Sequence, residues 1–123
     1  MKTFIEDFMA GSRRSPYPKG TPHAPGSMVG WVGDTVLLVD LADEIYLAGI
    51  HTLRSRTGRG SASRALRWLC GLADKHGFVV YLFAKANEHQ TLSTAQLREW
   101  YGRNGFAKKR TWMVRQPKQK GTL

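Results

Sequence analysis

Residues 44–84 constrain the fold more strongly than any other part of the chain. An apolar run, EIYLAGIHTL, is followed by a glycine- and arginine-rich segment, RSRTGRGSAS, then by a helical pattern and a second apolar run, FVVYLFA. In the helical pattern, which spans 61–77, apolar residues recur every three or four positions. Both apolar runs are typical of central strands covered on two faces. A strand, a helix and a strand in this order predict a right-handed crossover between parallel strands.

The patterns on either side extend this unit into a mixed sheet. SMVGWVGDTVLLVDL predicts a hairpin that turns at Gly33 and Asp34. Ser93 and Gln96 have the spacing of a capping box that opens the helix TAQLREWYGRN, and TWMVRQ predicts a last strand. The predicted fold is therefore α/β, with the element order β-β-β-α-β-α-β.

Proline content divides the chain into an arm, a domain and a tail. After a short helical turn in TFIEDFMAG, four of the residues between 16 and 25 are prolines, which sustain neither a helix nor a central strand. We therefore predict an N-terminal arm over 1–27, a single domain over 28–116 and a basic tail over 117–123.

The distribution of charge predicts an anionic partner. The net charge is +10, and residues 61–123 carry twelve lysines and arginines against three acidic residues. Nucleic acid, a phosphorylated cofactor or an acidic protein surface would each match this asymmetry. No apolar run reaches the length of about 18 residues that a membrane span needs. The single cysteine, Cys70, and the lack of a signal-peptide pattern lead us to expect a cytoplasmic protein.

The segment RSRTGRGSAS has the features of a phosphate-binding turn. It joins a predicted strand to a helix N-terminus, where free N–H groups and the helix dipole attract anions. Gly58 and Gly60 allow the backbone to approach a pyrophosphate closely, and Arg56 and Arg59 add charge-assisted hydrogen bonds. No G-K-[ST] sequence follows, so the segment is not a Walker loop. A basic surface loop remains the alternative.

Two stretches resemble the GNAT superfamily of acetyl-CoA-dependent N-acetyltransferases. They are EIYLAGIHTLRSRTGRGSASRAL and LREWYGRNGF, in which Gly58 and Gly60 match the glycines of the [QR]-x-x-G-x-[GA] signature and Tyr101 matches the tyrosine of the following helix. Ser55 departs from the signature, and Thr94 stands where many members have asparagine. The resemblance implies a GNAT-like sheet in which the proline-rich arm replaces the usual N-terminal helices, as in small phage-type members.

The resemblance also implies a binding site for acetyl-CoA, as co-substrate and without a metal. The backbone around Ala48, Gly49 and Ile50 would bind the pantetheine arm and polarise the thioester carbonyl, and Thr94 would contact the same arm. The pyrophosphate would lie on the signature loop and helix start. Its ligands there would be Arg56, Thr57, Gly58, Arg59, Gly60 and Ser61.

Three residues are candidates for proton transfer. Tyr101 is the expected general acid, because it matches the family's tyrosine; a core tyrosine is the structural alternative. Glu44 is the leading general base, since it opens the central strand where the histone-acetylating branch has a glutamate. His51, near the end of that strand, and water are the other candidates for the base.

The acceptor amine is expected on a protein, as a lysine or an N-terminus, rather than on a small molecule. The shortened N-terminal side leaves the acceptor side open, and a basic enzyme can dock on an acidic protein surface. A nucleic-acid-binding module is the second hypothesis, because most of the positive charge lies in one half of the chain. A GNAT-like binder or inhibitor without catalysis is the third.

Overall fold

A six-stranded mixed sheet and three helices form the computed structural model, which describes residues 2–13, 28–52, 60–84, 93–110 and 112–118. The sheet order is β1-β2-β3-β4-β6-β5, and only β3 and β4 are parallel neighbours. The elements in chain order are α1 (Lys2–Gly11), β1 (Met28–Val32), β2 (Thr35–Leu41), β3 (Ile45–Thr52), α2 (Ser61–His76), β4 (Val80–Phe83), α3 (Thr94–Arg103), β5 (Ala107–Lys109) and β6 (Trp112–Arg115).

The hairpin and the crossover confirm the predicted centre of the fold. Strands β1 and β2 are antiparallel and turn at Gly33, whose φ of 60° is in the left-handed region that glycine tolerates. Helix α2 connects β3 to β4, which pair in parallel from Ile45 with Val80 onwards. It ends at Gly77, where a φ of 74° lets the next amides bond back to the last turn.

Helix α1 is longer and more deeply packed than the sequence predicted. Its side chains Phe4 and Phe8 are fully buried in the core, and Phe8 lies against Trp68 of α2 with ring centroids 5.5 Å apart. Gly30 of β1 leaves the space that Phe8 occupies, since a Cβ there would lie 2.8 Å from its ring. Residues 2–11 of the predicted arm therefore pack against the core, and 14–27 lie outside the described residues.

Strand β5 was not predicted, because its sequence lacks the usual pattern of a strand. Its three residues, Ala107–Lys109, are all exposed at the edge of the sheet and pair with β6. Short, charged edge strands of this kind protect a sheet against pairing with other chains. In the predicted tail, the Lys118 amide donates to Oδ1 of Asp74 at 2.8 Å; residues 119–123 lie outside the described part.

The helices pack on one face of the sheet, which corrects the expectation for β3. The buried residues of α1, α2 and α3 form a single cluster with alternate strand residues such as Ile45, Leu47 and Leu82. The residues between them, Tyr46 and Ala48, are exposed. Strand β3 is therefore covered on one face at this end. Its second face carries Tyr46 and Ala48, which lie at the surface.

Candidate functional site

Strands β3 and β4 separate near the middle of β3. Their parallel pairing covers three residue pairs and ends at Leu47 and Leu82. On the other side of β3, the register with β2 shifts, so that Leu38 faces Gly49 and Val39 faces Leu47. Ala48 is thus the extra residue of a β-bulge, which bends a strand and increases its twist. The bulge explains why β3 leaves β4 at this point.

A cleft of about 80 Å³ opens where the two strands diverge. Helix α3 contributes Leu97 and Tyr101 to its wall, and the strands contribute backbone as well as side chains. The strand residues of the cleft are Leu47, Ala48, Gly49, Ile50, His51, Leu82, Phe83 and Ala84. Three of the predicted cofactor residues, Ala48, Gly49 and Ile50, are therefore brought together with Tyr101.

Helix α2 begins beyond the carboxyl end of β3. Its N-cap, Gly60, has a φ of 74° and provides no side-chain cap to the first turn. A Cβ at Gly60 would lie 3.3 Å from Nη1 of Arg64, a flexible side chain that can move aside. Among the described residues no side chain caps the first turn, whose amides are groups that can bind an anion. The predicted ligands Arg56, Thr57, Gly58 and Arg59 lie outside the described residues.

A buried hydroxyl network holds the start of α2 against the sheet. The Thr35 hydroxyl donates to Oγ of Ser61 at 2.9 Å and lies 2.7 Å from Oγ1 of Thr52. Ser61 is almost fully buried, so its hydroxyl has a structural role at this position. This network joins β2, β3 and α2, and no local sequence pattern predicts it because the three residues are far apart in the chain.

Tyr101 is fixed in orientation by its neighbours. Its ring contacts Trp100 and Phe106, at centroid distances of 4.9 and 5.6 Å, and Nε1 of Trp100 donates to Oγ of Ser63 in the first turn of α2 at 3.0 Å. Burial raises the pKa of Tyr101 above its ordinary value, and the nearby Cys70 thiol adds to the shift. The phenol is therefore neutral at physiological pH, and its hydroxyl is a hydrogen-bond donor.

Glu44 and His51 lie at opposite ends of the same strand. Oε2 of Glu44 accepts a hydrogen bond from the Val79 amide at 2.9 Å, where the parallel pairing of β3 and β4 begins. Ala48 lies four positions after Glu44, a distance of about 13 Å along the strand. His51 lines the cleft. The structure thus brings His51, but not Glu44, to the residues that surround Tyr101.

Thr94 lies in a second groove, between α3 and β5. This groove has a volume of about 610 Å³ and includes Arg98, Lys108 and Phe106. The capping box of α3 is formed as predicted: the Gln96 amide donates to Oγ of Ser93 at 3.1 Å, and the Ser93 amide donates to the Gln96 side chain at 2.8 Å. Thr94 therefore starts the predicted helix but faces this groove rather than the cleft.

Sequence reasoning did not identify Leu82, Phe83 and Ala84 as cleft residues. The signal for them was available, because ligands bind at the carboxyl ends of parallel strands in open α/β sheets.

Cys70 is buried, and burial raises its pKa to about 11, which fits the predicted unreactive thiol. Within the described ranges, no three His, Cys, Asp or Glu side chains are grouped to hold a metal, and no helix could cross a membrane.

Comparisons with known proteins show the fold. No protein-family model and no curated protein matches the chain. Among solved structures it is similar to the crystal structure of the anti-CRISPR protein AcrVA5, with a TM-score of 0.59 and 19% sequence identity over 72% of this chain and 97% of that one. The mixed sheet with three helices is thus a GNAT-like α/β fold, which confirms the predicted fold class.

Proposed function

We propose that this protein is an acetyl-CoA-dependent N-acetyltransferase that transfers an acetyl group to an amine, more readily on a protein than on a small molecule. The observation that carries the proposal is the cleft between β3 and β4, which has Tyr101 in its wall and the uncapped start of α2 beyond the end of β3. Acetyl-CoA supplies the activated acetyl thioester. The protein binds and orients the coenzyme, and its side chains exchange protons with the reacting groups.

The cleft suits an extended chain that carries amide groups. Its walls combine apolar side chains with the backbone of Ala48, Gly49 and Ile50, beyond the point where β3 pairs with β4. Backbone N–H and C=O groups at such an edge are obligatory hydrogen-bonding partners. The pantetheine arm has the amide spacing and length to take the place of the missing strand partner.

The start of α2 suits the pyrophosphate of the coenzyme. The first-turn amides at Gly60 and Ser61 point beyond the helix end, and the helix dipole adds about 0.3–1 kcal/mol per charge. Because this is too little for tight binding alone, the proposal includes Arg56 and Arg59 as further ligands, together with the backbone of Thr57 and Gly58. Thr94 remains a candidate contact only if the coenzyme extends along α3.

Tyr101 is the proposed proton donor to the departing sulfur. A thiol has an ordinary pKa of about 8.5, so its thiolate needs only modest help to leave. The raised pKa of Tyr101 keeps its hydroxyl protonated and ready to donate a hydrogen bond. The tyrosine is reprotonated from solvent after each turnover, which restores the starting state.

The amine must lose its proton before or during attack. A lysine with an ordinary pKa of about 10.4 is about 0.1% neutral near pH 7.4. A general base in the cleft would accept the proton of the amine and so accelerate its attack. Glu44 and His51 are the candidates, and the position of His51 in the cleft wall favours the imidazole, acting directly or through water. To act as the base, Glu44 would have to break its hydrogen bond with the Val79 amide.

Two other functions are alternatives to the acetyltransferase. The solved structure that resembles this chain is titled an anti-CRISPR protein, which favours a GNAT-like binder or inhibitor as the second candidate. The concentration of positive charge in residues 61–123 favours nucleic acid as the third. We expect the protein to act in the cytoplasm, in host cells if a phage encodes it.

The test is a transfer assay with acetyl-CoA and blocked peptides that contain one lysine. We expect thiol release coupled to acetylation of the lysine, detected by mass spectrometry. Tyr101→Phe should lower kcat by at most 10²–10⁴-fold, because it removes one proton-transfer group, while its melting temperature stays close to that of the wild type. Coenzyme binding without acetylation of any peptide or protein amine would favour the inhibitor instead.

A further inference from the structure

Four aromatic side chains form a patch on the face of the sheet opposite the helices. Tyr46 of β3, Tyr81 and Phe83 of β4 and Trp112 of β6 belong to three neighbouring strands and are in contact. Tyr46 and Tyr81 are stacked, with ring centroids 5.2 Å apart, and Trp112 meets both Tyr46 and Phe83 edge to face. We call these four residues the aromatic patch.

The aromatic patch is not a random scatter of apolar residues. In the described part of the chain, four large hydrophobic side chains are exposed, and three of them are Tyr46, Phe83 and Trp112, at 37%, 50% and 45%. The fourth, Met9, lies on α1. Contiguous exposed apolar surface of this kind marks interaction sites, whereas single exposed residues do not.

The aromatic patch continues into the cleft. Phe83 belongs to both, and Tyr46 lies two residues before Ala48 on the same face of β3. A chain lying across the aromatic patch would therefore pass the mouth of the cleft. Under the proposed function, this is where an acceptor side chain must enter to reach the thioester.

The geometry of the rings favours a polypeptide over nucleobases. A base-stacking surface needs open ring faces. Tyr46 and Tyr81 each use one face against the other, at an interplanar angle of 22°, and Trp112 stands at about 75° to Tyr46. Upright rings instead form clefts and edges that accept methylene groups and cations, as in cation–π contacts with lysine or arginine.

Among the residues that the structure describes, acidic side chains are grouped at one end of the aromatic patch. Asp40 pairs with Tyr46 across β2 and β3, and Asp43 and Glu44 lie in the turn beside it. Three of the nine acidic residues of this basic chain are thus within five positions. Lys109, opposite Trp112, provides positive charge at the far edge. A phosphate backbone would meet these carboxylates, whereas a basic side chain would be attracted to them.

We infer that the aromatic patch docks the acceptor protein, and that it selects an exposed segment with a lysine for the cleft and a neighbouring arginine or lysine for the carboxylates of 40–44. This inference rests on the proposed function, whose acceptor class it names. The aromatic rings contact the methylene stems and the positive charge, and the cleft receives the reacting amine.

The test uses two labelled peptides, each with blocked termini and a single lysine. Arginines flank the lysine in one peptide and glutamates flank it in the other. Oligothymidine is the third probe. Binding is measured by fluorescence anisotropy, so it does not depend on turnover. We expect the arginine peptide to bind best and Trp112→Ala to weaken it about tenfold, a loss above the 1 kcal/mol that most interface residues do not reach. Asp43→Arg should weaken the arginine peptide and strengthen the glutamate peptide.

Met9→Ala is the matched control, because it removes an exposed hydrophobic side chain away from the aromatic patch. It should leave peptide binding unchanged, and every variant should bind acetyl-CoA like the wild type. Equal peptide affinities of Trp112→Ala and Met9→Ala would overturn the inference. So would tighter binding of oligothymidine, a preference for the glutamate peptide, or a wild-type dimer that Trp112→Ala dissociates. If the wild type does not bind acetyl-CoA, this result would instead refute the proposed function.

Discussion

At the scale of single residues, position along a strand separates two groups that the sequence could not rank. Glu44 and His51 both lie on β3 or next to it, and either could take a proton from an amine. The Glu44 carboxylate accepts a hydrogen bond from the Val79 amide, whereas His51 lines the cleft. A sequence shows that both residues are present, but the direction of a carboxylate depends on a partner 35 positions away.

Glu44→Gln tests this ranking. The substitution keeps an oxygen acceptor for the Val79 amide, so we expect the fold to persist and the pH–rate profile of kcat/KM to overlay that of the wild type. His51→Gln, which removes the imidazole from the cleft wall, should lower kcat/KM instead. A loss of activity in Glu44→Gln, together with wild-type activity in His51→Gln, would assign the base to Glu44.

The pair of Asp74 and Arg115 is a second feature of this scale. Nη1 and Nη2 of Arg115 donate to the two carboxylate oxygens at 2.7 and 2.9 Å, and both side chains are largely buried. Arg115 holds the pKa of Asp74 below its ordinary value. A depressed carboxyl pKa stabilises the folded state above the unfolded value of about 3.9, and this contribution is lost as the pH falls through the folded pKa.

Asp74→Asn should therefore destabilise the protein by about 3–5 kcal/mol at neutral pH, because it leaves a buried guanidinium without its counter-charge. The difference from the wild type should shrink below about pH 4. Glu99→Gln, which disrupts an exposed pair with Arg103, is the control and should cost about 0.3–0.5 kcal/mol. Urea unfolding at several pH values measures both; a difference that does not depend on pH would contradict the account.

At the scale of elements, the sequence predicted the parts that carry their own local signals. The turn at Gly33, the stop of α2 at Gly77 and the capping box at Ser93 each combine a residue type with a fixed spacing, and all are present. Helix α1 has no such signal: no acidic residue lies in its first turn and no basic residue in its last. It depends on packing against α2 and β1, which only the tertiary structure shows.

Phe8→Ala tests how far α1 belongs to the domain. Phe8 is fully buried and packs against Trp68 and beneath Gly30, so its truncation should cost about 3–5 kcal/mol. The neighbouring Met9 is exposed, and Met9→Ala should change the free energy of unfolding by no more than about 0.5 kcal/mol. If the two variants unfold at the same denaturant concentration, α1 is not part of the core.

The candidate site was predictable only in part for the same reason. Tyr101 and the residues around Gly49 follow from a resemblance in motif and order, and the structure brings them to one cleft. The bulge at Ala48, which opens this cleft, is set by the register between β2 and β3. Likewise, the hydroxyl network of Thr35, Thr52 and Ser61 joins three separate segments. Neither feature can be seen in a local sequence pattern.

At the scale of the whole molecule, the topology brings the start of α2 and the cleft to the same side of the sheet. The net charge is +10, and the crossover places the start of α2, which opens the basic half of the chain, beyond the carboxyl end of β3. The cleft opens at that side of the sheet and the aromatic patch continues from it. In the proposed function, this arrangement places the anionic coenzyme at the start of α2 and the protein acceptor at the aromatic patch, with the cleft between them.

The most direct measurement is a calorimetric titration of the wild type, Gly60→Asn and Gly60→Asp with acetyl-CoA, with ATP and desulfo-CoA as reference ligands. Asparagine and aspartate both tolerate the positive φ of Gly60, so the two variants differ in charge and not in strain. The account predicts micromolar binding of acetyl-CoA by the wild type and near-wild-type binding by Gly60→Asn. Gly60→Asp should bind much more weakly, although its helix is no less stable. Equal affinities of the two variants, or no binding of acetyl-CoA at all, would contradict it.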